Sequence, residues 1–120
     1  MTWHEDRGIS PGVPDLHYVI DHDCVVGWLE LKSIDTLISG SRRIKVEPSQ
    51  HQYIRKWGEL MPIHFLIRAK TEVFLVESKW HAAIPECDSN NSLLSLSVAS
   101  FPQGNIGDVL PQLLKIITRR

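Results

Sequence analysis

The chain has 120 residues, 42% of them hydrophobic and 22% charged, with a formal net charge of −1. That length and apolar content support one core and a single domain over residues 1–120, large enough to fold without staples. Cys24 and Cys87 lie far apart, which excludes a disulfide framework or a Cys-rich zinc site and favours a reducing, cytoplasmic setting. There is no basic-plus-apolar leader pattern and no apolar run near the roughly 20 residues of a membrane span, so a soluble protein without a membrane partner is expected.

The small net charge hides a segregation. Residues 1–30 hold one Lys or Arg against six Asp or Glu, residues 31–60 hold six against three, and residues 61–120 hold six against five. An acidic patch beside a basic stretch suits a protein that holds a divalent cation next to a phosphate backbone, although an uneven solvated surface gives the same counts.

In chain order, Gly8 to Pro14 reads as an irregular lead-in, and Asp15 to Ile20 as a strand. Asp21, His22 and Asp23 form a turn, and Cys24 to Leu31 a second strand, so residues 15–32 are expected to be a hairpin. Ser33 to Lys45, with Ser39-Gly40-Ser41 and three basic residues, reads as an exposed loop. A helix should follow. Ser49 and Gln52 have capping-box spacing, Tyr53, Ile54, Trp57 and Leu60 give one apolar face, and Pro62 ends it. Ile63 to Ala69 and Thr71 to Glu77 are strands on their Ile, Val, Leu and Phe content. Asp88 to Ser92 reads as a surface loop, and Leu94, Leu96 and Val98 alternate as an edge strand within the connection 81–105. A last helix over about Asp108 to Ile117 would place Pro111 in its first turn, where no backbone donor is missed. The order β-β-α-β-β-α predicts an α/β or α+β domain round a central mixed sheet flanked by helices.

The chemistry concentrates in Gly12-Val13-Pro14-Asp15-Leu16 and Trp28-Leu29-Glu30-Leu31-Lys32. Side chains alternate across a strand, so Glu30 and Lys32 share one face. If the hairpin register brings Asp15 alongside, two carboxylates can hold Mg²⁺, which takes one or two carboxylates and keeps several waters. The backbone carbonyl of Leu31 is a further oxygen. Lys32 could orient or help deprotonate an attacking water and compensate charge on a phosphate. An exposed hairpin that merely carries Asp, Glu and Lys has the same spacing.

Pro-Asp-Leu, a gap, then Leu-Glu-Leu-Lys resembles the PD-(D/E)XK nuclease superfamily, and among its members the short phage-encoded ones near the VRR-NUC branch and the Holliday junction resolvases. Pro48-Ser49-Gln50-His51-Gln52-Tyr53 is similar to their Pro-x-Gln-x-x-aromatic helix start, which gives Gln50 the motif position. The resemblance covers most of residues 5–80. It implies a restriction-endonuclease-like core and a Mg²⁺-dependent DNA endonuclease, with Mn²⁺ able to substitute, acting on junctions or other branched DNA. Asp15, Glu30, Lys32 and Gln50 would be catalytic, and Asp15, Glu30 and Leu31 metal ligands. Glu5 takes the place of a metal-binding glutamate that relatives carry on an N-terminal helix and would be a further metal ligand, though too few residues precede Gly8 for a full helix. A homodimer is implied as well, since a two-fold dimer supplies two sites for a symmetric junction. A phage origin would make the setting the host cytoplasm. A nicking or restriction-like nuclease and a non-catalytic DNA-binding module on the same fold are the alternatives.

Arg42, Arg43 and Lys45, with Arg55 and Lys56 on the helix, form a basic run suited to backbone phosphates, and His51 beside Gln50 could touch substrate. The six histidines show no paired metal-ligand spacing. No Walker loop, nucleophile elbow or dinucleotide fingerprint occurs, so no nucleotide cofactor is expected.

Overall fold

A computed structural model of the chain describes residues 2–5, 14–20, 25–37 and 43–103. The β-branched and aromatic runs form strands, as their composition requires. The elements are β1 (Thr2–Glu5), β2 (Leu16–Ile20), β3 (Val25–Ile34), α1 (Pro48–Trp57), β4 (Ile63–Ala69), β5 (Glu72–Glu77), α2 (Asn90–Leu96) and β6 (Ser97–Pro102), with short 3-10 turns at Ser78–Trp80 and Ile84–Glu86. The six strands make one sheet in chain order. All neighbours are antiparallel except β3 and β4, which are parallel. Parallel neighbours need a crossover, and α1 provides it. The fold is thus α+β round a mixed sheet, compatible with the expected α/β class. Among the described residues no helix is long and apolar enough to cross a membrane.

The expected hairpin of residues 15–32 is present as β2 and β3, with β3 running on to Ile34. Strands 63–69 and 71–77 correspond to β4 and β5, joined through Lys70 and Thr71, with Lys70 in the left-handed region at φ 60°. Three readings need correction, and one element was not foreseen. The helix starts two residues earlier than the Ser49/Gln52 spacing implies: Glu47 is the N-cap, Pro48 opens the first turn, and the helix stops at Trp57 rather than near Pro62. Residues 90–96, read partly as loop and partly as edge strand, form α2, in which Ser89 caps by accepting from the Ser92 N–H. Only Val98 of the alternating set lies in β6. Before the lead-in, where no element was expected, the chain forms strand β1. Finally, residues 43–46 are not a wholly exposed loop, because Ile44 and Val46 enter the core while Arg43 and Lys45 face out. The helix expected over residues 108–117 lies outside the described residues, as do Arg42 and the turn of residues 21–23.

The core explains these departures. On one sheet face Ile63, Phe65, Ile67 and Ala69 of β4 align with Phe74 and Val76 of β5, and Ile44, Val46, Ile54, Ile84, Cys87 and Leu93 close over them. Helix α1 is therefore pinned by burying Ile54, and α2 by burying Leu93. Trp28 of β3 meets Tyr53 of α1 edge to face, with ring centroids 6.5 Å apart. Phe65 and Phe74 are fully buried, so Phe65→Ala and Phe74→Ala should each cost about 3–5 kcal/mol in urea or guanidinium unfolding, the transfer loss plus a cavity. A loss under about 1 kcal/mol would show that this face is not the core.

Candidate active site

The pairing of β2 with β3 ends at Leu16 opposite Leu29. One residue further, β3 loses its partner on that side, and the backbone there must find another acceptor. It finds a side chain: the Leu31 N–H donates to Asp15 Oδ2 at 2.8 Å. The N–H and C=O of one strand residue point the same way, so the Leu31 carbonyl also faces the open side, next to Asp15. On the other side β3 continues to pair with β4, Glu30 opposite Phe65 and Lys32 opposite Ile67.

Alternation turns Glu30 and Lys32 onto the core face, beneath the start of α1. Glu30 is only 5% exposed. Gln50 meets both from above, in the third position of the helix. Its Nε2 donates to Glu30 Oε1 at 2.9 Å, and its Oε1 accepts from Lys32 Nζ and from the Glu47 N–H, each at 2.9 Å. Lys32 Nζ lies 3.8 Å from Glu30 Oε1. Asp15, Glu30, Lys32 and Gln50, scattered over 36 positions of sequence (15 to 50, counted inclusively), are thus brought into one cluster.

The electrostatics are those of a crowded carboxylate pair. Burial pushes the Glu30 carboxyl up to about 8, and a hydrogen bond and charge repulsion from Asp15 add to the rise, while Lys32 opposes it. A proton held between two carboxyl groups occupies a position that a cation can fill instead. Two carboxylates and one outward carbonyl are a small, all-oxygen donor set. It fits Mg²⁺, which keeps much of its water, and does not suit zinc, which prefers nitrogen and sulfur. Among the described residues no group of three or more His, Cys, Asp or Glu converges. Glu5 lies in β1, opposite Leu16, one residue along from Asp15.

The expected phosphate-contacting residues divide. Arg43 and Lys45 lie on the solvent side of the segment leading into α1, in exposed ion pairs with Glu86 at 3.6 Å and Glu47 at 3.3 Å. Such pairs are weak and exchange readily for a phosphate. Arg55 faces a groove at the far end of α1, whereas His51 follows Gln50 and touches His81, with Nδ1 to Nδ1 at 2.6 Å. His81 and Lys79, which lines the groove with Arg55, were not singled out in the sequence. They are separated from α1 by two strands, and no spacing rule connects them to it.

No family model, curated protein or solved structure matches the chain.

The raised Glu30 carboxyl has a consequence for stability in metal-free buffer. Its folded value of about 8 lies above the ordinary 4.5, so the folded chain keeps a proton that the unfolded chain gives up. The contribution is therefore full below pH 4.5 and is lost as pH rises towards about 8. Urea midpoints in EDTA should fall over that window by the equivalent of up to about 1.4 kcal/mol per pH unit. Glu30→Gln should remove most of the slope. An identical slope in the variant would place the titration elsewhere.

Proposed function

We propose that the protein is a metal-dependent DNA endonuclease whose centre is Asp15, Glu30, Lys32 and Gln50. The observation that carries this is the contact of Asp15 and Glu30 at the point where β2 leaves β3, with Lys32 and Gln50 bonded to the same group. A plain surface hairpin would leave these side chains in water. Here Glu30 is buried and linked to Lys32 through one amide. Buried polar groups of this kind cost stability unless each is satisfied, so their retention favours a site over a decorative surface.

Asp15, Glu30 and the Leu31 carbonyl would hold Mg²⁺ or Mn²⁺. The ion supplies a water acidic enough to attack at neutral pH and neutralises charge on the phosphate. The other steps belong to the chain. Lys32, fixed by Gln50 Oε1 at 2.9 Å, presents its ammonium next to Glu30, where it orients the attacking water and offsets charge on the pentavalent phosphate. Gln50 keeps the lysine and the carboxylate at a set separation. In the hydrolysis the water oxygen adds to phosphorus, one ester P–O bond breaks, and the proton lost by the water is matched by one gained by the leaving oxygen. The substrate within this reading is branched DNA such as a four-way junction, cut by a homodimer. The basic residues Arg42, Arg43, Lys45, His51 and Arg55 supply backbone contacts, which give affinity without reading sequence.

The test is cleavage of labelled four-way junction, flap, single-stranded and linear duplex DNA with Mg²⁺ or Mn²⁺. Metal-dependent cutting of the junction, lost in Glu30→Ala, is expected. Cutting of plain duplex alone would replace the junction with a nicking or restriction-like activity, and binding without any cutting would leave a non-catalytic module. Lys32→Ala should lower turnover by at least about 100-fold while leaving binding within a few-fold, since it removes a contact made in the transition state; turnover near wild type would remove Lys32 from the centre. Arg42→Gln together with Arg43→Gln should weaken binding and flatten its salt dependence by up to about two in logarithmic slope. An unchanged slope would return that segment to an ordinary charged surface.

A further inference from the structure

Helix α1 carries Gln50 to the centre, and the next residue, His51, begins a second polar cluster. His51 Nδ1 and His81 Nδ1 stand 2.6 Å apart, with ring centroids at 4.9 Å and planes tilted by 56°. At that distance the two nitrogens share one proton: one ring donates through Nδ1–H and the other accepts through a bare Nδ1. In the neutral pair the accepting ring has an outer Nε2–H and the donating ring a bare Nε2. One further proton turns both outer nitrogens into donors.

A groove of about 330 Å³ adjoins the pair, lined by Ile54, Arg55, Gly58, Glu59, Lys79 and His81. It runs between the C-terminal half of α1 and the 3-10 turn Ser78–Trp80. Gly58 closes the end of α1 against the turn: a Cβ there would meet Ser78 Oγ at 3.4 Å and the Ile54 carbonyl oxygen of its own helix at 2.6 Å. The charges facing His81 are Arg55 from α1, Glu59 from the turn that follows α1, and Lys79 from the 3-10 turn, and Lys79 also lies 3.9 Å from Glu77 at the end of β5. The groove lining itself carries the cations of Arg55 and the exposed Lys79 against the one carboxylate of Glu59, so an anion that displaces Glu77 from Lys79 fits it. It does not suit a transition metal: two imidazole nitrogens in a tetrahedral set, each about 2.0–2.1 Å from zinc, would stand more than about 3 Å apart.

We propose that His51, His81, Arg55 and Lys79 form a subsite for a backbone phosphate of the nucleic acid, flanking the scissile one, and that filling it draws a second proton onto the histidine pair. The ligand rests on the nuclease reading above. Consecutive Cα atoms are about 3.8 Å apart, so the pair stands directly beside the Gln50 that ties the centre together. In the free protein, burial, His51 and Arg55 hold His81 below its ordinary value. An arriving phosphodiester reverses that balance. The pair then has a higher proton affinity when bound than when free, so its share of the binding is largest at low pH and fades as pH rises.

The experiment is fluorescence anisotropy of labelled DNA with the full chain in EDTA, at about pH 6 and about pH 8, for wild type and His81→Gln. Glu30 titrates in both proteins and cancels in their ratio. The wild-type advantage in affinity should grow at least about threefold from the higher to the lower pH. Lys79→Gln, at an exposed position, should reduce the logarithmic salt slope by about one. A ratio that stays flat with pH overturns the subsite, as does an absence of DNA binding. Mg²⁺-dependent cleavage by wild type, run alongside, separates the two readings: cutting with a flat ratio removes the subsite and keeps the nuclease, whereas a rising ratio without cutting keeps a proton-coupled phosphate subsite and removes the nuclease.

Discussion

Where β2 stops pairing with β3 is the constraint on which the site depends. The ladder ends at Leu16 opposite Leu29, while β3 must continue to Ile34 to complete its parallel pairing with β4. That leaves a length of β3 with one edge paired and the other open, in the middle of the sheet rather than at its rim. Asp15 occupies the gap by accepting the Leu31 N–H, so the residue that ends β2 is also the one that faces Glu30. Had β2 run two residues further towards its start, the Pro14 carbonyl would have taken the Leu31 N–H in place of Asp15, while Pro14, with no N–H, would still leave the Leu31 carbonyl open.

The second dependence is a single amide. Gln50 bonds Glu30, Lys32 and the N-cap backbone at once. Glutamate could not donate to Glu30, and asparagine is one methylene shorter. The amide is neutral, so it links an acid and a base without adding charge to a buried cluster, where each unpaired charge would be costly. Because the same contact caps α1, the helix start and the geometry of the centre are one structural event. A shift of α1 by one residue would turn Gln50 by about 100°, given 3.6 residues per turn, and remove its bridge between Lys32 and Glu30.

The sequence made some of this legible and hid the rest for identifiable reasons. The β-rich runs 25–34, 63–69 and 72–77 lie next to one another in the sheet, and their apolar content was enough to find them. The shared face of Glu30 and Lys32 was legible because strand alternation fixes it, whereas the place of Asp15 depended on the hairpin register. The start of α1 was misplaced because two capping boxes overlap, Glu47 with Gln50 and Ser49 with Gln52, and local spacing does not choose between them. The tertiary bonds of Gln50 do. Leu94, Leu96 and Val98 read as an alternating strand because the set straddles a junction: the first two end α2 and the third lies in β6. Ile44 and Val46 showed the strand-like alternation of a buried edge, but the neighbouring basic residues masked it. The contact of His51 with His81 spans 30 residues and was beyond any local rule.

The two polar clusters solve the same physical problem in opposite senses. Each brings like groups together at a partly dry position, and each needs a particle between them. Asp15 and Glu30 are two acids, which hold a proton or a cation. His51 and His81 are two bases, whose facing Nδ1 atoms share one proton at 2.6 Å. Helix α1 supports both, through adjacent residues, so a cation at the first and a phosphate at the second would bear on one short rigid segment.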